Sequence, residues 1–176
     1  MSATVLITGA NRGIGLGLVE ELASNGKIKT VKLDIADEKS TQQAGRDAQA
    51  ILGDKGLDIL INNAGINQAV FGPLIETLTQ VFNVNVVGTQ NVIKALFPAL
   101  QKGVAKKVIK ISSLVAVYAN AGFIFIPLNP GYVKTDMSPE GTETVENSVK
   151  GILEVTFEAG QEDNGVFYSY DGTKEP

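Results

Sequence analysis

Residues 4–8 form a β-branched, apolar run that gives way at once to GANRGIG, after which Leu16, Val19, Leu22 and Ala23 recur at helical spacing until Asn25-Gly26. This is a strand, a glycine turn and a helix. A strand that feeds a helix through so short a turn commits the chain to an α/β layer arrangement, because the helix must pack back on the sheet that the strand begins. The turn also has a chemical use. Gly9, Gly13 and Gly15 leave backbone amides and the positive end of the helix dipole free to hold a pyrophosphate, where side chains would block the approach. A glycine triplet alone is weak evidence, but here it has the strand before it and the helix after it that a dinucleotide site requires. The alternative is a tight turn with no ligand.

The rest of the chain continues the alternation. Residues 31–35 read as a second strand and residues 37–52 as a mostly polar helix with an acidic first turn and Gly53 just past its end; residues 57–61 read as a buried strand. Leu74, Leu78, Val81 and Phe82 begin a long helical segment that runs through Val92, Ile93, Leu96 and Phe97 and is expected to end at Pro98 and Gly103. Residues 107–111 and 123–128 are strands, the second apolar at every position, as expected where helices cover both faces of a parallel sheet. Val145, Val149, Ile152, Leu153 and Thr156 mark a last helix before a strand at residues 166–170. The expected fold is α/β, a doubly wound parallel sheet of the Rossmann kind, in a single domain over residues 1–176.

One connection breaks the pattern. Between the strands at 107–111 and 123–128 lie about a dozen residues, too few for a right-handed crossover helix with its loops. A helix is missing there.

Composition closes several functional classes. With no cysteine and no histidine, disulfides, thiolate nucleophiles and Ser-His-Asp triads are excluded, and zinc sites with them. A net charge of -4 argues against nucleic-acid binding, and the one basic cluster, Lys106, Lys107 and Lys110, is expected to be solvated charge at the ends of a strand. No apolar run reaches membrane-spanning length, and the start of the chain reads as a first strand rather than a signal peptide, so a cytoplasmic location is expected.

The motifs TGANRGIG at residues 8–15, NNAG at 62–65, NVNVVG at 83–88, ISS at 111–113 and NPGYVKTDM at 129–137 occur in the order found in short-chain dehydrogenase/reductases. The chain resembles that family over nearly its whole length, and within it the carbonyl-reductase branch of C-factor-like and sniffer-like enzymes, to which YSYDGTKEP near its end is also similar. The resemblance implies a cofactor turn made by Gly9, Asn11, Arg12, Gly13, Ile14 and Gly15. It puts Asn62, Ala64 and Gly65 beside the adenosine, and Pro130, Gly131, Val133 and Thr135 at the nicotinamide. Arg12 resembles the basic residue of NADPH-preferring members, so NADP (NADPH) is favoured over NAD; a solvated turn residue is the alternative. Asp34 lies 19 residues after Gly15, and spacing alone makes it the acid that binds a ribose hydroxyl and favours NAD. The resemblance instead makes it the end of the family's third strand, beside the adenine, and this reading is preferred.

For catalysis the resemblance implies Ser113 as the donor to the carbonyl oxygen and Asn85 as part of a proton relay. The family's Tyr-x-x-x-Lys pair needs one helical face, and only Tyr170 and Lys174 have that spacing here. Asp171-Gly172 between them is a turn signal, so they are rejected; Tyr118 is expected to be a loop residue near the substrate mouth. The proton donor is therefore expected in a segment absent between Ala121 and Phe123, with similar breaks near residues 29/30 and 137/138. The expected function is an NAD(P)(H)-dependent ketoreductase that interconverts a carbonyl and an alcohol on a small, rather apolar substrate. A non-catalytic dinucleotide-binding regulator is the alternative if no residues are absent. The segment 74–100 resembles the helix through which many family members pair as homo-oligomers, while burial against its own sheet explains the same stripe.

Overall fold

The computed structural model describes residues 3–23, 26–67, 74–111 and 122–175. Five parallel strands stand in chain order across one sheet: β1 (Val5–Ile7), β2 (Ile59–Asn62), β3 (Lys107–Ile111), β4 (Ile124–Asn129) and β5 (Tyr168–Ser169). The registers Val5↔Ile59, Ile59↔Lys107 and Lys107↔Ile124 align their starts, so all of the carboxyl ends open on one edge. That edge is where open α/β sheets bind ligands.

Helices cover both faces. α1 (Gly13–Ala23) packs with α5 (Val145–Glu158) on one face, and α2 (Glu38–Leu52) packs with α4 (Thr89–Lys102) on the other. Strand residues alternate between the two cores. Ile59, Ile61, Ile109, Ile111, Ile124 and Ile126 join Leu18, Val149 and Ile152; Leu60, Val108 and Phe125 join Ala48, Val92, Leu96 and Leu100. Asp37 caps α2, its carboxylate accepting from the amides of Lys39 and Ser40 at 3.1 and 3.2 Å, and Thr144 caps α5 by accepting from Asn147 at 3.1 Å. Gly45 lets α2 and α4 touch, since a Cβ there would lie 2.7 Å from the carbonyl of Ala95.

Four expectations are corrected. Residues 31–35 pair with no strand among the described residues, although Ile35 is buried and Leu33 packs on the core. The apolar alternation is there, but a strand needs a neighbour about 4.8 Å away, and among the described residues β1 pairs with β2 alone. Pro98 does not end the long helix; it sits exposed inside α4, where the carbonyl it leaves without a partner can face water, and Gly103 is the residue that follows the last turn. That long helix is also not continuous α-helix: α3 (Leu74–Phe82) passes into a π-helical turn, Asn83–Gly88, before α4. Lastly, Lys107 and Lys110 are not solvated. Each is only 8% exposed, because β3 is covered on both faces and its alternating side chains have no wet side to choose.

Candidate functional site

The glycine turn is held by the neighbouring strand. The Thr8 hydroxyl accepts from the amides of Asn63 and Ala64 at 3.1 and 3.0 Å, and the Asn63 side-chain amide donates to the carbonyls of Thr8 and Gly9 at 3.1 and 3.2 Å. The turn cannot carry side chains. A Cβ on Gly15 would lie 2.2 Å from the Gly9 carbonyl oxygen, and one on Gly9 would lie 2.8 Å from Ala64 Cα. Gly9 and Gly13 also have φ of +67° and +54°, a region that glycine enters without strain.

The loop after β4 reaches the same place. A Cβ on Gly13 would touch Thr135 Cγ2 at 3.4 Å, so Thr135 lies against the turn although 122 positions separate the two in the chain. Gly131, with φ +81°, packs against the ring of Tyr170, and the carbonyl of Pro130 accepts from the Ser148 hydroxyl at 2.7 Å. Val133 is buried, and Thr135 and Ser138 exchange backbone bonds across a short turn at the expected third break.

Asn85 stands in the π-helical turn and clasps the end of the β2 loop. Its side chain accepts from the amide of Ile66 and donates to the carbonyl of Ile66, both at 2.8 Å, and a Cβ on Gly65 would lie 3.1 Å from its Oδ1. The sequence therefore brings Gly9, Gly13, Gly15, Ala64, Gly65, Asn85 and Thr135 together at one edge, the carboxyl ends of β1, β2 and β4. Asn11 and Arg12 are exposed at that edge, and Ile14 packs into the α1–α5 core. Asp34 is exposed at the start of the α2 approach, accepting from the amide of Ala36 at 2.9 Å. Ser113 and Tyr118 lie outside the described residues. Tyr170 and Lys174 are on no helix: the Tyr170 hydroxyl donates to Glu143, which raises the phenol's pKa, and the Lys174 ammonium reaches Asp163 at 3.5 Å.

Sequence reasoning took in Asn63 only as part of the NNAG motif and gave it no role of its own. It named Asn62, whose amide is instead buried, 1% exposed, on the α2–α4 face with no hydrogen-bond partner among the described residues. The signal was the strand period: Asn62 shares a face with Leu60, so Asn63 is the residue that turns toward the glycines.

Lys110, three residues before Ser113, was also missed. Its ammonium donates to the Thr89 hydroxyl at 2.8 Å, and Thr89 donates to the carbonyl of Asn85 at 2.8 Å. Burial pushes the Lys110 amine down to about 8.

A parallel sheet covered on both faces, with a side-chain-free turn at its carboxyl edge, defines a doubly wound α/β protein of the Rossmann kind. The chain belongs to the short chain dehydrogenase family, whose model matches residues 25–125. It is 30% identical to an uncharacterized oxidoreductase of Schizosaccharomyces pombe over 244 aligned positions, spanning 95% of each chain. Because 244 positions exceed the 176 residues of this chain, that relative carries stretches with no counterpart here. The chain is also 28% identical to the C-signal protein of Myxococcus xanthus over 153 residues, 68% of this chain and 92% of that one. Among solved structures it shares its fold with the NADPH-bound carbonyl reductase from chicken fatty liver, at a TM-score of 0.84 and 24% identity over 98% of both chains. The carbonyl reductase Sniffer of D. melanogaster gives 0.83 at 23% identity over 99% of both.

Proposed function

We propose that this chain is an NAD(P)(H)-dependent oxidoreductase that interconverts a carbonyl and an alcohol on a small, apolar molecule, with NADP favoured over NAD. The observation that carries this reading is the carboxyl edge of the sheet, where Gly13 meets Thr135 and Gly15 has no room for a Cβ. A diphosphate fits there because backbone amides line a surface that side chains cannot obstruct. Gly9, Gly13 and Gly15 would hold the pyrophosphate, Ala64 and Gly65 the adenosine side, and Val133 and Thr135 the carboxamide. When bound, the nicotinamide cofactor supplies the hydride.

The chain's own residues do the rest. Asn85 fixes the loop that walls the cleft, and Ser113 donates to the carbonyl oxygen as negative charge develops on it. Arg12, exposed on the rim, pairs with a 2′-phosphate and sets the preference for NADP. Proton delivery belongs to a segment between Ala121 and Phe123, where the strand-to-strand connection is too short for a crossover helix. An intact mass well above 18.6 kDa for the native protein supports such a segment, and one near 18.6 kDa refutes it.

A second reading has one specific support. The Tyr-Lys pair at helical spacing, Tyr170 and Lys174, is engaged elsewhere, with Glu143 and Asp163. A chain without another pair binds the dinucleotide and turns nothing over.

Titration of the full chain with NADPH and NADH, followed by a panel of ketones and quinones, separates the two readings. Turnover supports the enzyme, tight NADPH binding without turnover supports the regulator, and failure to bind either dinucleotide overturns both. Gly15→Ala is expected to weaken NADPH binding roughly a hundredfold, about 2.7 kcal/mol. Arg12→Ala is expected to weaken NADPH roughly tenfold and leave NADH unchanged.

A further inference from the structure

We propose that Lys110 is a positioning residue for the cofactor cleft, acting through Thr89 to hold the Asn85 amide that clasps Ile66. The inference rests on the reading of this cleft as a dinucleotide site only for the name of what the wall encloses.

Lys110 is a poor choice for packing. It stands in the α2–α4 core at 8% exposure, and among the described residues its ammonium bonds to the Thr89 hydroxyl alone, at 2.8 Å. In register beside it on β2, on the same face, is Asn62, whose amide oxygen and nitrogen both lack partners among the described residues. An ammonium with one neutral partner next to an orphaned amide costs stability, and a chain places such groups where they do something else.

What it does follows from donor and acceptor counts. An ammonium has three donors and no acceptor, so the Thr89 oxygen must receive its proton, and the one hydrogen of Thr89 is left to point at the carbonyl of Asn85. Asn85 in turn makes both hydrogen bonds to Ile66 and fills the space beside Gly65, which a Cβ would contest at 3.1 Å. Four hydrogen bonds, each of 2.8 Å, link Lys110 to the cleft wall: one from Lys110 to Thr89, one from Thr89 to the main-chain carbonyl of Asn85, and a pair between the Asn85 side chain and the backbone of Ile66.

The direction of that linkage depends on the charge. A neutral amine has a lone pair that can take the Thr89 hydrogen, and the Asn85 carbonyl then loses its donor. Among the described residues of the packed elements, no other ionisable group faces the Lys110 amine. The charged residues of α2 (Glu38, Lys39, Arg46, Asp47) and of α4 (Lys94, Lys102) are exposed, and β2 and β4 have none. Burial alone brings the amine down to about 8, so the switch falls within a range the protein tolerates.

The test uses the full chain and three variants, Lys110→Met, Thr89→Val and Thr89→Ser, with hydrogen exchange and ¹⁵N NMR as readouts. In the wild type the Asn85 side-chain amide is expected to shift with a midpoint near 8. The Ile66 amide is expected to be protected below that midpoint and to exchange roughly tenfold faster above it, after correction for intrinsic rates. Lys110→Met and Thr89→Val abolish the titration and expose Ile66 at every pH while Leu60 and Ile109 keep their protection; Thr89→Ser, which keeps the hydroxyl, restores the wild-type profile. An Ile66 amide equally protected in all four proteins, or a titration that persists in Lys110→Met, overturns the proposal. NADPH affinity is measured alongside and is expected to fall roughly tenfold in the two disrupting variants. If NADPH does not bind the wild type at all, the proposed function falls, and the Ile66 readout still decides the role of Lys110.

Discussion

The two ends of β3 carry one buried lysine each, three residues apart, and treat them in opposite ways. Lys107, at the amino end, points to the α1–α5 face, and its ammonium donates to the carbonyls of Thr156 and Phe157 at 3.0 and 2.8 Å. These belong to the last turn of α5, where carbonyls have no partner within the helix and the dipole favours a cation. Burial lowers the Lys107 pKa, and the nearby Asp163 charge partly offsets this. Lys110, at the carboxyl end, has among the described residues one hydroxyl partner and, beside it, the unpartnered Asn62 amide. The same residue type at the same exposure is structural support at one end and an expense at the other. The difference follows the sheet's polarity: the amino edge holds the layers together, and the carboxyl edge is shaped by the cleft it borders.

The comparison is broken most directly at its stable end. Lys107→Met leaves the Thr156 and Phe157 carbonyls without their donor and removes the charge at the end of α5, so it is expected to lower stability by roughly 2–3 kcal/mol. Thermal denaturation should show a midpoint lower by about 5–10 °C for a chain of this size. A midpoint unchanged by the substitution would make the two lysines equivalent and remove the contrast.

At the other end the sign reverses. Burial pushes the Lys110 amine from its ordinary 10.5 down to about 8, which corresponds to a cost of about 3 kcal/mol while the group is charged. Lys110→Met escapes that cost and gives up one hydrogen bond worth about 1 kcal/mol, for a net gain of about 2 kcal/mol at pH 7. The pH dependence follows from the sign. A base whose folded pKa is depressed carries the full cost below about 8; the cost shrinks as pH rises from there toward 10.5, and it is gone above. Chemical denaturation at pH 7 and pH 10 should therefore find the variant ahead at the first and nearly level at the second.

The same two lysines mark what the sequence could and could not disclose. The strand-turn-helix at residues 4–23 was legible because the glycines, the β-branched run and the helical spacing are all local. α2 was legible for a similar reason, since Asp37 and Gly53 bracket it. Residues 31–35 read as a strand and are not one, because pairing depends on a neighbour that local pattern does not reveal. KVIKI read as a strand with wet ends because a charge on a short strand is usually solvated; the helices that bury both faces come from distant parts of the chain. In the cleft, the glycines and Thr135 were legible through motif order. Asn63 and Thr89 were not, since their roles are hydrogen bonds to carbonyls whose positions only the fold supplies.

A smaller effect sharpens the account of the amino edge. Asp58 precedes β2, and its carboxylate gathers three chain segments: it accepts from the amide and hydroxyl of Thr4 at 2.8 and 3.0 Å and from the amides of Val104 and Ala105 at 2.7 and 3.4 Å. Partial burial pushes its pKa up, but these donors together outweigh it and hold the carboxyl below its ordinary 3.8. A depressed acid stabilises above its unfolded pKa, and the contribution is lost as pH falls below 3.8 through the folded value. Asp58→Asn keeps one acceptor and turns an amide donor toward one set of these donors, so it is expected to cost about 1 kcal/mol at pH 7. The difference from wild type should close below pH 4 in an acid denaturation series, because the protonated aspartic acid has lost the same charge. Were the gap to persist unchanged to pH 2, the carboxylate's charge would have no part in tying β1 to β3, and Lys107 would be left as the ionised anchor of that edge.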